Sequence, residues 1–394
     1  MENKMYKVQT LNKISPQGLE LFSREDYEVA SEITHPDAIV LRSFSMHDMK
    51  LPKSLLAIAR AGAGTNNIPI EKCSEKGIVV FNTPGANANA VKELVLAGML
   101  LASRDIVEGI AWVHGLKKEG DKVPALVEKG KSQFAGQELK GKKLGVIGLG
   151  AIGVIVANDA LALGMDVIGY DPFLSIDSAW ELSHNVQKAT GLETLLSDVD
   201  YLTIHVPLME STKEMIDSEK FAMMKDGVKI MNFARGGLIN NDALKNAIAS
   251  GKVSAYVTDF PNGDLLDIKQ VIPIPHLGAS TGEAEDNCAV MACTQVKHFL
   301  ETGNIENSVN FPNCVQPRIA GAKRVVIANK NMPSMISEIT SLLAKHNINI
   351  ANMLNKSKGN LAYNIIDIED GNLPESMIEK LLAIKGVVMA RIID

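Results

Sequence analysis

The segment Lys143-Leu144-Gly145-Val146-Ile147-Gly148-Leu149-Gly150-Ala151-Ile152-Gly153 constrains this chain more than any other. An apolar strand pattern runs directly into Gly148-x-Gly150-x-x-Gly153, and a helical pattern follows. A second strand pattern, Asp166-Val167-Ile168-Gly169-Tyr170, then delivers Asp171, 18 residues beyond Gly153. Each part has a mechanical task in holding a dinucleotide. Gly148 permits the tight turn, Gly150 lets the backbone approach a pyrophosphate, and Gly153 lets helix pack against strand. The pyrophosphate sits on the free amides at the positive end of the new helix. Asp171 accepts hydrogen bonds from the adenosine ribose hydroxyls, and its charge repels a 2′-phosphate, which predicts NAD over NADP. A glycine triplet alone also fits a tight turn without ligand. Strand, glycines, helix, second strand and acidic residue in one register favour the dinucleotide.

The rest of the composition is that of a globular enzyme. A chain of 394 residues has room for two or three domains, each with its own core. A net charge of −6 argues against a nucleic-acid footprint. Charges at Glu2, Lys4 and Lys7 leave no apolar segment of a secretory signal. The longest apolar stretch, 94–102, is far shorter than the ~20 residues that span a bilayer. Cys73, Cys288, Cys293 and Cys314 form no CxxC pair and no metal-ligand spacing, so we expect reduced thiols, a cytoplasmic protein and no metal.

Before the nucleotide segment, the apolar runs 38–41 and 77–81 read as buried parallel strands and 91–104 as a long apolar helix. After it, strand patterns at 202–206, 228–232 and 253–258 alternate with helical ones up to about Thr281, as in a doubly wound sheet. The segment 303–321, with Pro312 and Pro317, reads as a linker. Beyond it, 324–328, 333–346, 348–355, 361–368, 374–383 and 387–393 give strand, helix, strand, strand, helix, strand. That βαββαβ order predicts a ferredoxin-like module, and such modules pair through edges or helices, so an oligomer is expected.

Two further segments suggest chemistry. In Asn232-Phe233-Ala234-Arg235-Gly236-Gly237 an arginine follows an apolar strand, where ligands bind in open sheets. Its planar fork can hold a carboxylate at two points without losing charge. The bland reading is a surface ion pair. In Pro275-His276-Leu277-Gly278-Ala279-Ser280-Thr281 a histidine behind proline is placed to carry a proton near neutral pH. Of eight histidines only His276 reads as catalytic, while His205, before Pro207, reads as a lining residue.

Together with Arg60-Ala61-Gly62-Ala63-Gly64-Thr65-Asn66-Asn67-Ile68, these motifs resemble the D-isomer-specific 2-hydroxyacid dehydrogenases over nearly the whole chain. The likeness is greatest to members that carry a C-terminal ACT domain and act on a phosphorylated 2-hydroxy acid. It implies an α/β protein of two doubly wound Rossmann-like lobes plus that ferredoxin-like domain. The substrate lobe would take 1–95 and 285–305, the inserted NAD lobe 96–284, the linker 306–321 and the ACT-like domain 322–394. By the same resemblance His276 takes the hydroxyl proton as hydride leaves C2, and Arg235 holds the carboxylate. Leu149, Ala151, Ile152, His205, Pro207, Phe233, Ala234 and Asp259 join the glycines and Asp171 on the NAD side, Asp259 at the nicotinamide carboxamide. Arg42, Arg60, Gly62 and Asn87 face the substrate, with Arg42 and Arg60 as a cradle for a terminal phosphate.

The sequence also departs from the family. Members usually carry Asp-Val-Phe-x-x-Glu-Pro before the histidine, and that glutamate orients it. Here Thr258-Asp259-Phe260-Pro261-Asn262-Gly263-Asp264 puts Gly263 in the glutamate's place and Thr258 opposite the aspartate, leaving Asp264 as a substitute carboxylate. Lys92, where a small residue is usual, reads as a solvent-facing lysine or an extra cation near the substrate. Ser334 stands where the ligand-binding ACT version has glycine, so a serine effector site and a purely pairing role both stay open. Two other activities fit the pattern: a hydroxypyruvate, glyoxylate or D-lactate type reductase, and an NAD(H)-sensing binding protein on the same fold. A homodimer or homotetramer is expected, with no nucleic-acid or membrane partner.

Overall fold

The computed structural model describes residues 5–369, 373–374 and 376–393; Glu2 and Lys4 lie outside them. The chain divides into two units, one of residues 1–86 with 282–394 and one of residues 87–281.

In the first unit, β1 (Tyr6–Leu11), β2 (Tyr27–Ala30), β3 (Ala38–Leu41), β4 (Ala57–Arg60) and β5 (Val79–Phe81) form a parallel sheet in the order β2-β1-β3-β4-β5. All four residues of β3 are buried, as a parallel strand covered on both faces requires. Leu41 pairs with Arg60, so Arg42 and Arg60 stand at neighbouring strand ends on the carboxyl side of the sheet. The helix Gly282–Thr302 packs against this sheet through Ala289, Ala292, Cys293, Val296 and Phe299.

The second unit carries β6 (Lys143–Ile147), β7 (Asp166–Tyr170), β8 (Gln187–Lys188), β9 (Tyr201–Ile204), β10 (Val228–Asn232), β11 (Val253–Thr258) and β12 (Val271–Pro273). Their order is β12-β11-β10-β9-β6-β7-β8, and all recorded pairings are parallel. The order reverses at β6, the topological switch point where open α/β sheets bind ligands. The apolar helix expected at 91–104 is Ala88–Ser103, packed against β10, β11 and the helix Ala151–Ala162. Lys92 on its first turn pairs with Asp159 of that second helix at 2.9 Å, which explains the lysine as a helix-to-helix tie.

The C-terminal strands β13 (Lys323–Lys330), β14 (Ile350–Lys358), β15 (Leu361–Ile368) and β16 (Val387–Ile393) form an antiparallel sheet in the order β14-β15-β13-β16. With the helices Met335–Lys345 and Met377–Leu382 this is the expected βαββαβ module. Alternate residues of each strand face opposite ways. Val325, Ile327, Ile366 and Ile368 pack on Ile339, Leu343, Met377 and Leu381 of the helices. Val326, Ala328, Ile365 and Met389 share a core with Phe299, Ile305, Phe311 and Cys314.

The connection read as a linker is therefore built into the core. Ile305, Phe311 and Cys314 are fully buried. Asn310 accepts the Val80 amide at 2.9 Å and donates to the Ile78 carbonyl at 2.9 Å, while Ser308 Oγ donates to the Val80 carbonyl at 3.1 Å. The segment thus covers the open edge of β5, whose unpaired backbone groups would otherwise be exposed. Its prolines and polar residues suggest a tether; its asparagine and serine side chains are instead the partners of a sheet edge.

Candidate active site

The glycine turn between β6 and the helix Ala151–Ala162 has the expected mechanics. Gly148 has φ +88°, and a Cβ there would lie 2.7 Å from the His205 carbonyl oxygen. At Gly153 a Cβ would fall 1.9 Å from the Gly148 carbonyl oxygen, so only glycine lets helix and strand approach this closely. At Gly150 a Cβ would meet nothing within 4 Å. No side chain caps the helix beginning after Gly150, and its first-turn amides are left to an outside acceptor. Open space beside uncapped amides at a positive helix end fits a pyrophosphate. The residues present therefore fit a dinucleotide.

Asp171 also braces this turn. One carboxylate oxygen accepts the Leu149 amide and the other the Phe173 amide, each at 2.8 Å. A carboxylate oxygen has a second lone pair, so these bonds leave acceptor capacity for a ribose. His205 is tied to Thr203 Oγ1 through Nε2 at 2.9 Å. Burial pushes its imidazole down to about 3, so it stays uncharged at ordinary pH. Pro207 lies just beyond, its carbonyl accepting Thr212 Oγ1 at 2.6 Å.

The arginine turn is organised by a buried asparagine. Asn232 Nδ2 donates to the Arg235 carbonyl at 2.9 Å and to Tyr256 Oη at 3.3 Å, while its Oδ1 accepts the Ala234 amide at 3.2 Å. Phe233 is buried beside Gly98, where a Cβ would lie 3.0 Å from its ring. Arg235 itself is exposed, with Nη1 donating to the Ala234 carbonyl at 2.7 Å and Cζ lying 5.9 Å from the Phe260 ring centre.

His276 follows β12 on an exposed loop. Its ring contacts Phe260, with centroids 4.5 Å apart and planes at 50°. Asp259 is 2% exposed; its Oδ2 accepts the Gly278 amide at 3.2 Å, and its Oδ1 is buried without a hydrogen-bond partner. Burial raises its carboxyl above the ordinary range, and the nearby His276 and Arg235 oppose that shift. Asp264 needs correction. It sits on the turn Gly263–Leu265, its side chain exposed and 3.9 Å from Lys245 Nζ of the helix Asn241–Ala249. No hydrogen bond or ion pair joins it to His276 among the described residues.

In the first unit, Arg60 donates from Nε to the Arg42 carbonyl at 2.9 Å and from Nη1 to the Gly64 carbonyl. Arg42 pairs with Glu285 Oε1 at 2.5 Å. Gly62, at φ +151°, donates its amide to Thr83 Oγ1 at 2.8 Å. In the second unit, Asn87 precedes the helix Ala88–Ser103, and its side chain makes no cap bond there. Neither Phe260 nor Asn232 carries a chemical signature of its own along the chain. A polar residue ending an apolar strand, next to a turn, was the available signal.

The model of the D-isomer specific 2-hydroxyacid dehydrogenase NAD binding domain matches residues 96–278. This chain belongs to the D-isomer specific 2-hydroxyacid dehydrogenase family and is an NAD-dependent dehydrogenase. It is 32% identical to the D-3-phosphoglycerate dehydrogenase of Haemophilus influenzae, over 86% of this chain and 81% of that one. It is 35% identical to the enzyme of the same name from Methanocaldococcus jannaschii, over 79% of this chain, but spans only 59% of that relative. A hydroxypyruvate reductase from Thermotoga maritima is 38% identical, over 76% of this chain and 99% of its own length. Among solved structures, NAD+-bound 3-phosphoglycerate dehydrogenase from Entamoeba histolytica aligns with a TM-score of 0.60 and 25% identity, over 78% of this chain and 99% of that one.

Proposed function

We propose that this protein oxidises D-3-phosphoglycerate to 3-phosphohydroxypyruvate, the entry to phosphorylated L-serine biosynthesis. The observation that carries the reading is the pair of arginines at the carboxyl ends of the adjacent strands β3 and β4, Arg42 just past Leu41 and Arg60 paired with it. A guanidinium fork suits a phosphate that a smaller hydroxy acid lacks. The similarity to D-3-phosphoglycerate dehydrogenases supports the same substrate.

Bound NAD supplies the acceptor for a hydride from C2 of the substrate. The chain's own residues then have distinct tasks. The glycine turn and the helix behind it hold the pyrophosphate, Asp171 the ribose, and His205, Pro207, Phe233 and Ala234 line the cofactor's path. Arg235 holds the carboxylate and polarises the carbonyl oxygen that forms. His276 takes the hydroxyl proton in oxidation and returns it in reduction. Arg42 and Arg60 bind the phosphate, with Gly62 and Asn87 beside the substrate.

The helix Ile106–Gly115 has no buried residue and exposes Val107, Ile110 and Val113, an apolar face that supports a homodimer or homotetramer. Four free, buried cysteines support a reducing, cytoplasmic setting. Among the described residues no helix is long and apolar enough to cross a membrane. The C-terminal module would bind a serine effector, pair copies, or both.

The similarity to a hydroxypyruvate reductase over 99% of its length favours a second reading, reduction of an unphosphorylated 2-keto acid. NADH oxidation with 3-phosphohydroxypyruvate, hydroxypyruvate, glyoxylate and pyruvate separates the two. Preference for the phosphorylated acid is the expected result. Preference for another acid discards the phosphate cradle but keeps the chemistry. NADH binding with no turnover on any of the four points to a sensor.

A further inference from the structure

The family's glutamate has no counterpart beside His276, yet a proton carrier has to be held in one orientation to work. Here the imidazole has no hydrogen bond among the described residues: the buried Asp259 carboxylate acts on it through charge alone, and its ring packs on Phe260 with centroids 4.5 Å apart. The same phenyl ring lies 5.9 Å from the Arg235 guanidinium carbon. We propose that Phe260 is a positioning residue, holding His276 and Arg235 on one aromatic ring where the family uses a hydrogen-bonded glutamate. The inference rests on the roles given above to those two residues.

The main chain that carries the ring is itself fixed from behind. The Phe260 amide donates to Thr258 Oγ1 at 3.1 Å, and that hydroxyl donates to the Asn232 carbonyl at 3.0 Å. Asn232 in turn holds the Arg235 carbonyl at 2.9 Å. One chain of bonds therefore ties the end of β10, the end of β11 and the backbone of Phe260. The histidine's loop is fixed from the other side, because the adjacent Asp259 accepts the amide of Gly278, two residues after His276. A phenyl edge or face against an imidazole restricts the ring's rotation through packing. The guanidinium above the same ring gains a cation–π attraction. The threonine that displaces the family aspartate in the alignment thus has a task, which is to seat the phenylalanine.

The test compares Phe260→Leu, Phe260→Tyr and His276→Ala in the full-length protein, using whichever of the four 2-keto acids it reduces. The expected result is a fall of about tenfold or more in kcat for Phe260→Leu, with NADH affinity within about twofold of the parent. Phe260→Tyr, which keeps the ring, restores kcat to within about threefold. A merely structural loss would not be rescued by the ring while sparing cofactor affinity. Histidine ring resonances give a readout independent of turnover: the His276 signals, identified by their loss in His276→Ala, shift in Phe260→Leu and hold in Phe260→Tyr. Unchanged kcat and unchanged resonances in Phe260→Leu, beside an inactive His276→Ala, overturn the proposal and leave the proposed chemistry standing. Normal turnover by His276→Ala removes the underlying reading and this inference with it.

Discussion

Arg324 and Asp367 form a bidentate ion pair inside the C-terminal module, Nε to Oδ1 at 2.6 Å and Nη2 to Oδ2 at 2.9 Å, with both side chains almost wholly shielded from solvent. The remaining donors of Arg324 reach the carbonyls of Thr302, Gln316 and Pro317 at 2.9, 3.0 and 2.9 Å. Arg391 caps the same helix end through the Phe299 and Leu300 carbonyls, and Tyr363 Oη donates to the Gly303 carbonyl at 2.8 Å. The last carbonyls of a helix lack intrahelical partners, and cations there also match its dipole. The module therefore completes the C-terminal end of Gly282–Thr302.

Arg324→Met should be among the most damaging substitutions outside the site. It leaves Asp367 buried without its partner and three carbonyls without donors. Breaking a buried pair from one side costs about 3–5 kcal/mol. Thermal unfolding should show a large drop in Tm, and limited proteolysis should cut first within 303–321. A melting curve matching the parent would mean that the packing of β13 and β15 holds the module without the pair.

The same pair predicts an acid limb of stability. Burial alone would raise the Asp367 carboxyl, but the hydrogen bonds from Arg324 and Gln316 outweigh it and hold the group below its ordinary range. A carboxyl depressed in the fold contributes stability that is complete above its unfolded value, about 3.9. That contribution is lost as pH falls through the folded value. The Tm difference between the parent and Asp367→Asn should therefore be full near neutral pH and shrink below about pH 4. A difference that stays constant into acid would assign the effect to packing.

Gly150 and Gly153 should fail in different ways. A methyl at Gly153 would stand 1.9 Å from the Gly148 carbonyl oxygen, so Gly153→Ala must push the helix from the strand and lower both Tm and NADH affinity. A methyl at Gly150 meets no protein atom within 4 Å. Gly150→Ala should therefore melt like the parent while its NADH affinity falls about tenfold or more, a loss of ~1.4 kcal/mol or above. Calorimetric titration beside thermal melts reads both. Full NADH affinity in Gly150→Ala would move the pyrophosphate elsewhere.

The nucleotide turn was legible because each of its glycines answers one steric demand, and those demands leave a fixed spacing. The antiparallel module was legible from its alternation of helical and strand periods. The connection 303–321 was not, because its buried contacts run from Asn310 and Ser308 to β5, more than 200 residues away in sequence. Phe260 escaped for the same reason: its value lies in facing His276 and Arg235 at once, and no pattern along the chain records that. Asp264 misled because adjacency to an expected position says nothing about Lys245, which a separate helix supplies.

Ser334 offers a stabilising change. It precedes the helix Met335–Lys345 at φ +71°, a left-handed conformation, and its side chain makes no cap bond. A non-glycine residue there costs roughly 1–2 kcal/mol, partly offset by the freedom glycine adds to the unfolded chain. Ser334→Gly should thus raise stability by about 0.5–1 kcal/mol in denaturant unfolding, without changing turnover. A lower midpoint would mean that the hydroxyl makes a contact that outweighs the strain.

Arg60→Lys tests the phosphate cradle most sharply, because it keeps the charge and removes the fork. The parent side chain spends Nε on the Arg42 carbonyl and Nη1 on the Gly64 carbonyl, so it both shapes its own loop and stands beside Arg42. If the guanidinium also grips a phosphate, the KM for 3-phosphohydroxypyruvate should rise about tenfold or more. The KM for hydroxypyruvate, which has no phosphate to lose, should stay within about twofold. Steady-state kinetics with both acids at saturating NADH gives the comparison directly. Equal rises for both would assign Arg60 to the loop alone, through its two carbonyl bonds, and would leave Arg42 as the remaining guanidinium for the phosphate.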